Sequence, residues 1–307
     1  NVRSYKYLGF LFTPSGEIKS GLNDLRDRAF KALMKLRNRM GSHFNESIST
    51  TLDIFDSLIR PILLYSSDFW GCMKLPKHNP IEKLHLSFCK QLLGVNKQTT
   101  NVGVLLELGQ IPITLHACKF AIKNWERIKM KKANDFLLAT HKNAITDDLP
   151  WISTIKSLLE SKGMLVDYIR TAVNEYHSIH KILFQRLSDE FHQHAFETLR
   201  DENSKLRTYG LFKTDIGLER YLDTIKNKSK RIIVTKLRLS DHHLMIETGR
   251  HKKLPKERRF CPFCPKAVEN ESHFLLRCPM YAHLRNPVLE HISTAKPFFI
   301  HLTLNEQ

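Results

Sequence analysis

Leu22, Leu25, Ala29, Leu33, Leu36 and Met40 recur at three- and four-residue intervals, the period of a helix with one buried stripe. Arg28, Lys31, Lys35 and Arg39 fall on the opposite side, so the pattern predicts a core-packed helix with a cationic outer face. A second helix is predicted from about Glu46, with Ile48, Leu52, Phe55 and Ile59 turned inward, until Pro61 interrupts or kinks it. Asn79-Pro80-Ile81-Glu82 marks a third start, with Asn as N-cap, Pro at the first helical position and Glu reaching back. Ile81, Leu84, Phe88 and Leu92 form its stripe, and Gly94 is placed to end it. A fourth helix begins near Pro112 and is expected to bury Ile113, Ala117, Phe120 and Ile128. Its Lys119, Lys123, Arg127 and Lys131 recur every fourth residue on the solvent side.

Elsewhere the pattern changes. Tyr5 to Phe12 is β-prone, and Thr13-Pro14-Ser15-Gly16 supplies a turn. From about Met130 to Pro150 the periodicity weakens, which reads as a boundary. Residues 151–200 return to helical spacing, with Val166, Ile169, Val173, Ile179, Ile182, Leu183 and Leu187 as the apolar positions. A polar stretch with Gly210 and Gly217 follows, and Lys226 to Arg238 then carries positive charge with no acid. The expected fold is mainly α, with minor β structure at both ends and no tandem repeat. Four regions result: a β segment over 1–20, a helical bundle over 21–130, a helical linker over 131–225, and a basic segment with a Cys/His module over 226–307.

The bulk numbers narrow the partner. At 307 residues with 42% hydrophobic side chains, the chain supports more than one core and is not disordered. A net charge of +17 and a pI near 9.6 imply a polyanionic partner, nucleic acid ahead of a membrane surface. No apolar run approaches the roughly 18–20 residues that span a bilayer. The opening NVRSYKYLGF has neither an initiator Met nor a signal-peptide pattern and reads as mid-domain strand, so a fragment of a longer polypeptide is expected.

Six cysteines divide into two kinds. Cys72, Cys89 and Cys118 are widely spaced in apolar segments and read as reduced core residues. Cys261, Cys264 and Cys278 cluster with His273 at spacing C-x2-C-x8-H-x4-C. That distribution suits an intracellular, reducing protein with one metal site. Two cysteines separated by two residues turn around one ion, and a His and a Cys five positions apart supply the other corners of a zinc tetrahedron. Four protein ligands leave no open position, so the role expected of zinc is structural. The alternative is three unliganded thiols that happen to lie close together. Phe260, Phe263 and Phe274 either pack around the ion or offer faces on which bases stack. His177/His180 and His192/His194 also form pairs, but without cysteines or evident carboxylate partners they do not read as metal sites.

Several segments together resemble the C-terminal part of non-LTR (LINE-type) retrotransposon reverse transcriptases. YKYLGFLFTPSG looks like the end of the polymerase palm; LIRPILLYSSDFWG, IEKLHLSFCKQLLGV and LLELGQIPI look like the helical thumb. TKLRLSDHHLMIETGRH leading into CPFC and HFLLRCPMY resembles the basic segment and CCHC zinc knuckle near the end of these polyproteins. The match touches most of the chain and is thin between about 131 and 200; the order and spacing of the segments carry it.

The resemblance implies an RNA-directed DNA polymerase in the parent protein, with upstream palm and fingers as partners. The family's Mg²⁺-binding aspartates precede the Tyr-Leu-Gly segment, and only seven residues precede Leu8, so this chain alone lacks the polymerase site. Asp147-Asp148 lies downstream, with Ile145 where the family has an aromatic residue, and reads as a loop. No catalytic residue is therefore assigned. A thumb grips template–primer duplex through phosphates, a role for Arg28, Lys31, Lys35, Arg39, Lys119, Lys123, Arg127 and Lys131. At the knuckle, Lys252, Lys253, Arg258 and Arg259 are expected to bind structured RNA or nicked target DNA, with Phe263 as a stacking platform. The resemblance also implies action in the nucleus, at a chromosomal nick. Two other readings stay open: a domesticated, non-catalytic nucleic-acid-binding protein, and a helical adaptor whose zinc clip only staples the tail.

Overall fold

Tyr5 to Phe12 folds back on itself in the computed structural model: β1 (Tyr5–Tyr7) and β2 (Phe10–Phe12) pair antiparallel, with Tyr5 opposite Phe12. The structure describes residues 4–129, 134–147, 149–164, 166, 178–201 and 204–295. Leu8 and Gly9 take φ of 44° and 84°, the two positive values that a type I′ hairpin turn requires. A leucine resists that region because its Cβ crowds the following carbonyl. The turn is held from outside: the Tyr65 hydroxyl donates to the Leu8 carbonyl, and Arg28 Nη2 donates to the Gly9 carbonyl at 2.8 Å. Phe10 lies over Gly21, where an added Cβ would stand 2.3 Å from the ring.

The first bundle follows. Helix α1 (Lys19–Met40) buries Leu22, Leu25, Ala29 and Leu33, while Leu36 and Met40 are half-buried. Helix α2 (Ile48–Ile54) continues through a π turn (Phe55–Ile59) into α3 (Arg60–Leu63). Pro61 thus neither stops this helix nor leaves it regular. Its missing N–H and its ring clash with an upstream carbonyl are absorbed by the widened turn just before it. Helix α4 (Ser67–Trp70) leads to α5 (Pro80–Leu93), where Asn79 Oδ1 accepts from the Ile81 N–H at 3.0 Å. Gly94, at φ 70°, closes α5: its N–H reaches the Gln91 carbonyl and the Val95 N–H reaches that of Lys90. Glu82 does not reach back to its own helix start. Its Oε2 accepts from the N–H and hydroxyl of Thr114 at 3.3 and 3.2 Å, capping the next long helix instead.

Helix α6 (Asn101–Glu107) precedes α7 (Ile113–Lys129), which buries Ile113, Ala117, Cys118, Ala121, Ile122, Trp125 and Ile128. Phe120, expected inside, is 42% exposed because it shares the side of α7 that carries Lys123 and Arg127. Gly71 lets α4 press on α7; a Cβ there would lie 2.0 Å from the Ala117 carbonyl oxygen. Helix α8 (Asp135–Thr146) occupies part of the weakly patterned stretch. It buries only His141, so it carries no apolar stripe to detect. Asp147 follows at its C-cap, exposed; Asp148 lies outside the described residues. Helices α9 (Pro150–Ser161) and α10 (Ile179–Arg200) share a core with α7 made by Trp125, Ile155, Leu159 and Leu183. Val166 is exposed, and Ile169 and Val173 lie outside the described residues.

The chain then returns to the first bundle. Leu218 bridges Leu108, and the Glu219 N–H donates to the Glu107 carbonyl at 3.1 Å. In α11 (Tyr221–Thr224), the Tyr221 hydroxyl meets buried Glu107, and Asp223 accepts from the N–H groups of Ile48 and Ser49. Burial pushes Asp223 upward, but those bonds and the one from Ser47 outweigh it and hold the carboxyl below its usual range. Helix α12 (Lys228–Arg238) is fastened by buried Arg231, which donates to the carbonyls of Glu46 and Ile225. Two compact units result, Asn1–Thr235 and Lys236–Gln307. The second contains α13 (Met245–His251), β3 (Phe260–Cys261), β4 (Cys264–Val268) and α14 (Ala282–Ala295).

Candidate metal centre

Strands β3 and β4 form a minimal hairpin in which Cys261 and Cys264 are directly paired across the Pro262-Phe263 turn. The chain then runs through Glu269–Ser272 into a π turn (His273–Arg277) that ends at Cys278. Asn270 starts this turn, its Oδ1 accepting from the His273 N–H at 2.7 Å; the Cys278 N–H donates back to the His273 carbonyl at 2.8 Å. These local bonds bring Cys278 under the hairpin. Its Sγ stands 3.9 Å from the sulfurs of both Cys261 and Cys264. The four candidate ligand atoms all lie within 4.8 Å of one another.

That geometry fits zinc. Tetrahedral corners at a Zn–S distance of ~2.3 Å place two sulfurs about 3.8 Å apart. His273 is buried, and its Nε2 has no hydrogen-bond partner, a costly condition for a ring nitrogen unless a metal takes it. Desolvation first, and the Cys278 and Cys261 thiols next, push Cys264 up to about 11. A divalent cation supplies the opposing charge that stabilises thiolates. All four corners come from protein, so the site has the closed form of a structural centre.

Buried carboxylates surround the clip and join it to the rest of its unit. Glu271 pairs with His242 Nε2 at 2.9 Å and accepts from the Ser240 hydroxyl at 3.2 Å. Glu269 accepts from the Met245 N–H at 2.7 Å, and its carbonyl takes the Ile246 N–H, so the stretch before His273 grips the start of α13. Phe274 and Phe263 both meet Tyr281 edge-on, at 4.9 and 6.2 Å, yet Phe263 remains 53% exposed.

The expected contact residues fall into two groups. Lys31, Lys35, Arg39, Lys123, Lys252, Lys253 and Arg258 are exposed. The others are engaged within the chain. Arg28 pairs with Asp24 at 3.1 Å and lies over Tyr65; Lys119 lies 4.4 Å over Phe184; Arg127 holds Asn124 at 3.0 Å. Arg259 donates to the carbonyls of Leu254 and Ile246, tying the knuckle to α13. Lys131 lies outside the described residues.

Two features escaped the sequence reading. Cys72 and Cys118, taken as isolated thiols, bring their sulfurs to 3.5 Å in the core. His180 does have a carboxylate partner, buried Glu126, which also accepts its N–H at 3.1 Å; His177 lies outside the described residues. Neither arrangement makes a metal site, and among the described residues Cys261, Cys264, His273 and Cys278 form the cluster suited to one. No helix among the described residues is long and apolar enough to cross a membrane. No protein-family model, curated protein or solved structure matches the chain.

Proposed function

We propose that the chain is the nucleic-acid-gripping C-terminal part of a non-LTR retrotransposon reverse transcriptase, acting on RNA and on nuclear target DNA. The observation that carries this reading is the four-ligand cluster with exposed Phe263 on its hairpin turn and exposed Arg258 just before it. Cations near a stacking surface suit unpaired nucleotides, whose bases lie on aromatic faces while phosphates meet charge. The order of the palm-like, thumb-like and knuckle-like segments supports the same family. The exposed Lys31, Lys35 and Arg39 on α1 suit sequence-independent contact with phosphates. Polymerisation and its magnesium ions belong, in this reading, to the upstream palm and fingers.

Zinc holds the knuckle in shape and takes no part in chemistry. The test is binding of a fluorescently labelled structured RNA and a nicked DNA duplex, followed by anisotropy across a salt series, with and without a zinc chelator. The expected result is affinity that falls steeply with salt, and loss of RNA affinity on chelation while the helical bundle stays folded. Salt-insensitive binding, or none at low salt, would overturn the proposal. Loss of the fold throughout on chelation would instead favour the clip as a staple.

A further inference from the structure

The entry to α12, residues 226–230, is a strongly cationic surface that the contacts above do not include. Between residues 226 and 238 the chain carries Lys226, Lys228, Lys230, Arg231, Lys236 and Arg238 and no acid. The inner face of the helix is fixed. Arg231 is buried among carbonyls, Thr235 is buried against the Tyr221 hydroxyl, and Ile232 packs so near Gly94 that a Cβ there would be 2.6 Å from it. The entry itself is open: Lys226, just before the helix, and Lys228 and Lys230, in its first turn, are exposed and form no ion pair among the described residues, and Ile233 on the following turn is 67% exposed. The nearest preceding acid, Asp223, is engaged in capping α2.

Three like charges there sit where the helix dipole already places positive charge, so they repel one another and the dipole alike. An array of phosphates relieves both at once. The face also lacks any aromatic residue from 226 to 238, so it has nothing on which a splayed base could stack. That favours the regular backbone of a duplex over a single strand. We propose that Lys226, Lys228 and Lys230 form a docking surface for the phosphate backbone of duplex nucleic acid, built from residues other than those of the knuckle. The inference rests on the nucleic-acid reading above and assigns it a second surface.

The experiment titrates the whole zinc-loaded chain into labelled duplex DNA and, separately, into labelled single-stranded RNA across a salt series. The Lys226→Gln/Lys228→Gln/Lys230→Gln variant is expected to weaken duplex binding and to reduce the slope of log affinity against log salt by about 1 per lysine. Single-strand affinity is expected to change less, and the Lys226→Arg/Lys228→Arg/Lys230→Arg variant to keep the wild-type slope. Wild-type duplex affinity and slope in the glutamine variant would overturn this inference alone. Equal loss on both ligands, or equal loss in the arginine variant, would also overturn it. Absence of duplex binding by the wild-type chain at low salt overturns the nucleic-acid reading together with this surface.

Discussion

Removing the metal should unfold the C-terminal unit and leave the helical unit standing. Among the described residues of Lys236–Gln307, the buried apolar side chains are Leu239, Ile246, Cys261 and Cys278. Two of those four are candidate ligands. Full burial of a leucine and an isoleucine contributes about 1.5–3 kcal/mol each, so about 3–6 kcal/mol together. Structural zinc contributes about 10–16 kcal/mol at neutral pH in isolated fingers. The ion therefore outweighs the apolar core of this unit severalfold. The helical unit is built otherwise, around fully buried Trp70, Trp125, Tyr209 and Phe55, none of which depends on a metal.

The perturbation is a high-affinity chelator, or Cys278→Ser, which removes the sulfur that touches both other thiols. Hydrogen exchange read by mass spectrometry reports each unit separately. The informative amides are Cys278 and His273 in the π turn and Ile246 at the start of α13. In the helical unit the reporters are Val95 and Glu219. At about 1.4 kcal/mol per decade, a loss of ~10 kcal/mol is about seven decades of opening equilibrium, so protection of the first set should vanish. Protection of the second set should persist. If the first set stays protected after zinc has been shown to leave, the metal does not hold this unit and the ligand assignment fails.

Other perturbations test the remaining architecture. Gly71→Ala places a methyl 2.0 Å from the Ala117 carbonyl oxygen and 2.6 Å from that of Ser67, so α4 and α7 must separate. The expected cost is about 3 kcal/mol, or ~6–12 °C by calorimetry in a unit of this size; an unchanged melting temperature contradicts the close approach. Gly16→Ala, at φ 72° with open space around it, should cost only about 1 kcal/mol of backbone strain. Burial first, then the charges of Arg60, His85 and Lys119, lower His116 from 6.5 to about 4. The unfolded chain then binds the extra proton more readily, so this contribution is complete above pH 6.5 and is lost as pH falls towards 4. Urea titrations of His116→Leu should show a weaker fall in stability across that window than wild type; parallel curves would refute the assignment. Hydrogen bonding to Cys118 and burial push Cys72 upward, and both sulfurs are buried, so the pair should resist iodoacetamide in the folded chain and react after unfolding. Rapid labelling of the native chain would mean that this core is open.

The elements legible in the sequence are those whose determinants are neighbours along the chain. Asn79, Pro80 and Gly94 mark the ends of α5 because a cap acts on amides two to four residues away. The stripe of α1 is legible for the same reason. Glu82 shows the limit: a carboxylate three residues after an N-cap suits two helix starts equally, and only the packing of α5 beside α7 selects Thr114. The Leu8–Gly9 turn is hidden likewise, since nothing local marks a leucine for positive φ. Tyr65 and Arg28, distant in sequence, hold it there.

The same division separates the two kinds of site residue. The metal ligands lie within eighteen positions, Cys261 to Cys278, and the turns between them are set by their own backbone bonds, so spacing alone suffices to group them. A phosphate contact has no such signature, because it needs a cation that nothing else in the fold has claimed. Arg28, Lys119 and Arg259 look equivalent to Lys31, Lys123 and Arg258 along a helix or a basic run. They differ in acceptors and rings supplied from elsewhere: the Gly9 carbonyl, the Phe184 face and the Ile246 carbonyl. Lys226, Lys228 and Lys230 have no such claimants, and the buried Arg231 next to Lys230 shows why charge alone could not rank them. Availability is a property of the folded neighbourhood, so in a chain with 48 Lys and Arg residues the cations left unpaired on a rigid helix are the stronger candidates for a polyanion.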